Sequence, residues 1–165
     1  METLLLAFLD RHQLPYQRFE HPPVFTCEEA ARLAPDLPGL EVKNLFLCDQ
    51  KGLRHFLLVV PAAARVDLKA LAPQLGAKGL RMASAERLLR VLRLTPGAVT
   101  VLAAFNDAAQ QVEIVLDERV WQAPAILAHP LVNTATLALT QATLARFLAL
   151  TGHAARIVAA PTPAG

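Results

Sequence analysis

Several short stretches place polar groups where packing alone does not ask for them. Val42-Lys43-Asn44-Leu45-Phe46-Leu47 sets a cation and an amide at the start of an otherwise apolar run. A lysine fixed there can stabilise negative charge developing on an oxygen, an effect of about 2–4 kcal/mol when well placed. It can equally lay its stem along a sheet and keep its head in water. Thr95-Pro96-Gly97 is a turn whose glycine, lacking a Cβ, lets backbone N–H and C=O groups approach a ligand. A plain reverse turn has the same composition. His129 opens a stretch that continues through Asn133, Thr134 and Thr136. Its imidazole can act as a base near neutral pH, shape a pocket, or be a satisfied half-buried side chain. Asn44, Asn106, Thr134 and Thr136 add neutral hydrogen-bonding groups, and Asn106-Asp107 can also simply close a turn.

Other chemistries lack their residues. The sequence has no GxGxxG, Walker A, GxSxG or HExxH pattern, so no nucleotide cofactor is expected. The histidines at 12, 21, 55, 129 and 153 have no metal-ligand partner two to four residues on, and no metal is expected. Cys27 and Cys48 are too far apart for a CxxC pair and read as two inert thiols. A formal charge of +2 gives no net-charge argument for nucleic acid, so any basic surface must be local. No apolar run approaches the roughly 20 residues of a membrane span, and the first ten residues do not form a signal peptide. Cytoplasm is therefore the expected location.

The elements that must position these groups follow from periodicity and caps. With 165 residues, 54% of them hydrophobic and 18% charged, one well-filled domain is expected. Leu5, Phe8 and Leu9 predict a first helix through about Arg11. Tyr16 to Glu20 predicts a short strand, and Thr26-Cys27-Glu28-Glu29 is a capping box for a helix to about Leu33. Val42–Cys48 and His55–Val60 read as a β-hairpin. Asp67 caps a helix to Leu75 closed by Gly76, Leu80–Ala83 is a short strand, and Ser84 caps a helix to about Leu92. Strands are predicted at 98–102, 112–116 and 126–128, with a further short one at 133–137. Thr140 opens a last helix, residues 156–158 return to the sheet, and the tail from 159 to 165 should fray.

The ordered set HPPVFTCEEA, KNLFLCD, LLVVP, LRMASAERL, TPGAVT, FND and HPLVNTATLAL resembles the YbaK/prolyl-tRNA synthetase editing superfamily, and within it the free-standing alanyl-tRNA(Pro) deacylases. The resemblance spans residues 3 to 158, and residues 1–158 are taken as the editing domain. It implies a mixed α/β single domain with a twisted, partly closed mixed β-sheet surrounded by helices. It further implies hydrolysis of the ester joining an amino acid to tRNA, without metal or enzyme nucleophile, the substrate's ribose 2′-hydroxyl helping to activate water. Lys43 and Gly97 match the positions tied to activity. Val24, Thr26, Asn44, Phe46, Asn106, His129 and Thr134 are the candidate substrate-binding residues, with His129 expected to position and select. Arg81, Arg87 and Arg90, with Arg93, are candidate phosphate contacts, although a merely solvated face has the same pattern. The implied partner is a mischarged proline tRNA, with docking on prolyl-tRNA synthetase left open. The alternatives are Cys-, Ser- or Thr-tRNA as substrate, or a non-catalytic tRNA- or synthetase-binding module.

Overall fold

In the computed structural model, which describes residues 1–24, 26, 28, 29, 32 and 36–164, the longest apolar runs form the middle of a five-stranded sheet. β2 (Val42–Asp49) and β3 (His55–Pro61) are the expected antiparallel hairpin, with Lys43 opposite Val60 and Asn44 opposite Val59. β4 (Leu80–Met82) pairs antiparallel with β2. β5 (Val112–Asp117) and β8 (Ala155–Val158) add in parallel, giving the order β4-β2-β3-β5-β8. Phe56 to Val60 are all buried. A strand covered on both faces needs such a continuous apolar run instead of alternation.

One face of this sheet packs on α2 (Leu68–Gln74) through Leu47, Leu58, Val60, Leu71 and Leu75. The other face builds the main core with α1 (Glu2–Arg11), α3 (Ala85–Leu92) and α5 (Gln141–Leu150). Across that core lies a three-stranded antiparallel sheet in the order β1-β7-β6, from β1 (Gln17–Glu20), β6 (Ala125–Ala128) and β7 (Ala135–Thr140). Among the described residues the expected single sheet is thus two, joined by a parallel bridge between Leu40 and Ile126, with no closed barrel.

The helix starts follow the sequence. Asp67, Ser84 and Thr140 each accept a backbone N–H from the first turn of their helices. The helix expected from Thr26 to Leu33 lies partly outside the described residues. Within them, Glu28, Glu29 and Arg32 are helical, and Thr26 Oγ1 accepts the Glu29 N–H at 3.1 Å.

Other expectations fail for identifiable reasons. No strand forms at 98–102. Thr100 instead caps a 3-10 helix, Val101–Asn106, whose Val101 to Ala104 are all buried. A short unbroken apolar run fits a buried strand or helix equally, and here the cap decides. The strand placed at 133–137 begins at Ala135 and runs to Thr140; ahead of it the Asn133 and Thr134 carbonyls accept from the Val24 and His21 N–H groups, and the Asn133 side chain donates to the Val24 carbonyl at 3.0 Å. α4 (Glu118–Gln122) was not expected; Asp117 caps it through the Arg119 N–H at 2.8 Å. Beyond β8 the chain is held at two points. The Ala160 N–H donates to Asp117 Oδ2 at 3.0 Å, and the Pro161 carbonyl accepts from the Asp67 N–H at 2.8 Å. The start of the tail expected to fray is therefore tied down.

Candidate active site

A cavity of about 200 Å³ opens where β2 begins, beside the ends of β6 and β7. Its polar lining includes Lys43, Asn44, His129 and Thr136, with Gly97 on the wall. Leu37, Val42, Val99, Leu127 and Ala128 make its apolar part. Residues as far apart as His21 and Thr136, 115 positions, meet here because β6–β7 and β2–β3 end at the same place. The antiparallel register sets Ala128 against Leu137, so His129 and Thr136 continue that ladder as cross-strand neighbours. Gly97 completes the wall with φ of 93°, a conformation that L side chains rarely adopt.

The two histidines of the cavity are held by backbone. His129 Nδ1 lies 3.1 Å from the Ala135 carbonyl, which only an N–H can donate to, so in the neutral ring Nε2 carries the lone pair. Burial pushes the His129 pKa below the ordinary histidine value; the Ala135 carbonyl opposes this and nearby His21 adds to it. His21 Nδ1 lies 2.8 Å from the Pro22 carbonyl and Nε2 lies 2.8 Å from Thr136 Oγ1. The rings sit edge to face, 6.1 Å between centroids. Glu41, also on the wall, has its carboxyl pKa raised by burial. Among the described residues, Asn44 Oδ1 is the one buried side-chain oxygen or nitrogen without a hydrogen-bond partner. An amide left unsatisfied beside a cavity marks where a ligand donor would be welcome.

The cavity thus gathers Thr26, Lys43, Asn44, Gly97 and His129 from the sequence-based set. It leaves out four others. Val24 is 1% exposed and uses its backbone, accepting from the Asn133 side chain and donating to the Asn133 carbonyl. Phe46 is 3% exposed and stacks on His55 at 5.7 Å inside the core. Asn106 donates to the Leu92 carbonyl at 2.9 Å, satisfying the end of α3. Thr134, just before β7, is exposed and absent from the lining, whereas Thr136, inside β7, is present.

The arginine cluster is dispersed. Arg87 turns back to the hairpin, where Nη1 donates to the Gly52 carbonyl at 3.0 Å and to His55 Nε2 at 3.1 Å. Arg93 has left the helix, with φ of 58°. Arg81 and Arg90 stay exposed, but Arg81 pairs opposite Cys48. That is five residues along β2 from Lys43, roughly 16 Å at the rise of a strand. His21 and Glu41 were missed. His21 looked like one more scattered histidine, and nothing in its neighbourhood announces a partner 115 residues away.

Among the described residues no three His, Cys, Asp or Glu side chains converge on one point, and no helix is long and apolar enough to cross a membrane. A family model described as the aminoacyl-tRNA editing domain matches residues 21–147, which contain the whole lining. The chain belongs to that family. Membership makes it a hydrolase of the aminoacyl ester. The prolyl-tRNA editing protein ProX of Acetoanaerobium sticklandii is 36% identical over 149 residues, covering 90% of this chain and 91% of that protein. A prolyl-tRNA synthetase associated domain-containing protein 1 of Danio rerio is 41% identical over 151 residues, covering 90% and 82%. A crystal structure described as a candidate trans-editing enzyme for prolyl tRNA synthetase superposes with a TM-score of 0.69 at 24% identity, over 99% of this chain and 98% of that one. At that identity the likeness speaks for the editing-domain fold.

Proposed function

We propose that the protein deacylates mischarged proline tRNA in trans and that alanine is the amino acid it removes. The observation that carries this reading is the small cavity, apolar on one side and polar on the other, that joins Lys43, Asn44, Gly97 and His129. The similarity to a prolyl-tRNA editing protein along nine-tenths of the chain supports the choice of tRNA. The methyl group of alanine suits the wall of Val42, Val99 and Ala128. Asn44 and His129 hold the amino end of the substrate. Lys43 and backbone groups near Gly97 stabilise the oxygen that gains charge when water attacks the ester carbonyl. The substrate's 2′-hydroxyl assists that water, so the protein need not supply a nucleophile. The leaving group is the ribose oxygen of the terminal adenosine, which takes a proton as the carboxylic acid departs.

Release of labelled alanine from Ala-tRNA(Pro), compared with Pro-, Cys-, Ser- and Thr-charged tRNA(Pro) and with Ala-tRNA(Ala), tests the proposal. Alanine should leave fastest from proline tRNA. Lys43→Ala should slow it by about 10²–10³-fold, the scale of one lost oxyanion donor. Faster clearance of another amino acid would reassign the pocket. No release from any of these tRNAs would leave a binding module as the better account.

A further inference from the structure

The antiparallel pairing of β1 with β7 meets an obstacle just before the cavity. Its register sets Glu20 opposite Ala135, and the His21 N–H donates to the Thr134 carbonyl at 3.1 Å. The next hydrogen-bonded pair of that ladder would ask Pro23 for an N–H that proline lacks. Pro22 has none either, and its carbonyl is taken by the His21 ring. The chain slips instead, and Val24 meets Asn133 where an unbroken ladder would give it Leu131. The Val24 N–H donates to the Asn133 carbonyl at 3.1 Å, and Asn133 Nδ2 donates back to the Val24 carbonyl at 3.0 Å. A side-chain amide thus supplies the return bond of a ladder pair. Val24 is buried, so the gripped residue is itself anchored in the interior.

Both segments joined by this clamp reach the cavity. His21 and Thr26 line it from one of them, Ala128 and His129 from the other. The loop from His129 to Asn133 also carries strain, because buried Leu131 has φ of 68°, a costly conformation for a residue with a Cβ. A strained loop keeps its shape only where its neighbours fix it. The His21–Thr134 and Val24–Asn133 bonds tie it to the opposite segment.

We propose that Asn133, which does not itself line the cavity, is the positioning residue that sets the width of the aminoacyl pocket between these two segments. The inference rests on the deacylase reading above and names a residue that governs its selectivity. Without the amide, Val24 keeps one bond to the loop in place of two, the strained loop relaxes, and the gap between Thr26 and His129 widens. A wider pocket tolerates a larger side chain. Loss of the clamp therefore shows as lost selectivity before it shows as lost chemistry.

Release of alanine and of 2-aminobutyrate, one methylene larger, from chemically charged proline tRNA reads that width. One methylene is worth about 10–200-fold in a fitted pocket. Asn133→Ala and the near-isosteric Asn133→Asp, which sets an acceptor against the Val24 carbonyl, should each lower the alanine to 2-aminobutyrate ratio of kcat/KM by about threefold or more. A fraction of unfolded enzyme lowers both rates alike and cannot move the ratio. Asn106→Ala removes a bond of the same kind, side-chain amide to the Leu92 carbonyl at 2.9 Å, away from the lining, and should leave the ratio at its wild-type value. An unchanged ratio in the Asn133 variants, or equal relaxation by Asn106→Ala, would overturn the inference, while alanine release by the wild type keeps the deacylase reading. Failure of both Asn133 variants to fold would also overturn it, by making Asn133 a residue of the fold alone. Absence of alanine release from the wild type would overturn both.

Discussion

A proton that reaches His129 has one place to go. Nδ1 is occupied by its bond to Ala135, so protonation adds to Nε2, the side left free for substrate, and puts a charge beside a bound ammonium. Burial resists that step by lowering the pKa. On the proposed function, kcat/KM should stay level as pH falls to the ordinary histidine value of about 6.5 and drop only below it. A pH profile breaking well above 6.5 would assign the controlling group elsewhere. Gly97 makes a second test at this scale. Its φ of 93° strains any side chain, so Gly97→Ala should displace the wall and reduce deacylation by at least about tenfold, with the fold retained by circular dichroism. The polar residues at 43, 44 and 129 and the turn glycine at 97, which the cavity gathers, stood out in the sequence because packing gave no reason for them. Phe46 and Val24 were misread because an apolar residue beside a functional one looks the same whether it faces a cavity or the core.

The hairpin of β2 and β3 and the helix α3 are joined by a device that the arginine pattern concealed. Arg87 spans from the helix to the Gly52 carbonyl and the His55 ring, and a Cβ on Gly52 would run into its guanidinium. Gly52 also has φ of 70°. Gly52→Ala should therefore cost about 1–2 kcal/mol in chemical denaturation, from both strain and the displaced arginine. Asp117 is a comparable tie, 1% exposed, serving α4 and the segment after β8 together. Asp117→Ala should cost about 1–3 kcal/mol because the part-buried N–H groups of Arg119 and Ala160 lose their acceptor. Caps and turn glycines announced most elements correctly, since those interactions are local. The 98–102 segment did not yield to the same reasoning, because its short apolar run carries no period and passes from partly buried Ala98 and Val99 to fully buried Val101 and Leu102.

At the level of the whole molecule, stability should depend on acid in a direction set by its histidines. His55 is buried, lies beside Arg87 and Arg90, and has a pKa lowered by burial first and those cations second; Asp49 and Asp107 oppose the shift. His129 is lowered as well. Both groups bind protons more readily in the unfolded chain, so their contribution is complete above about pH 6.5 and is lost as pH falls below it toward the folded-state values. Urea midpoints measured from pH 8 to pH 5 should decline across that lower range. His55→Gln, whose amide oxygen can still accept from Arg87, should flatten part of the decline. A midpoint that rises on acidification would contradict the assignment. The mixed architecture was readable from alternating runs and caps, but the division into two sheets was not. It depends on which distant strands pair, and β1 with β7 has no local signature.

That pairing bears on when the enzyme can act. His21 and Thr136 stand 115 residues apart and meet only after β1 and β7 have joined. During translation the ribosome must add all the intervening residues before the cavity can close around a substrate. An enzyme that cleaves aminoacyl esters emerges beside a ribosome supplied with them, and this topology keeps the nascent chain inert until nearly the whole fold has been made.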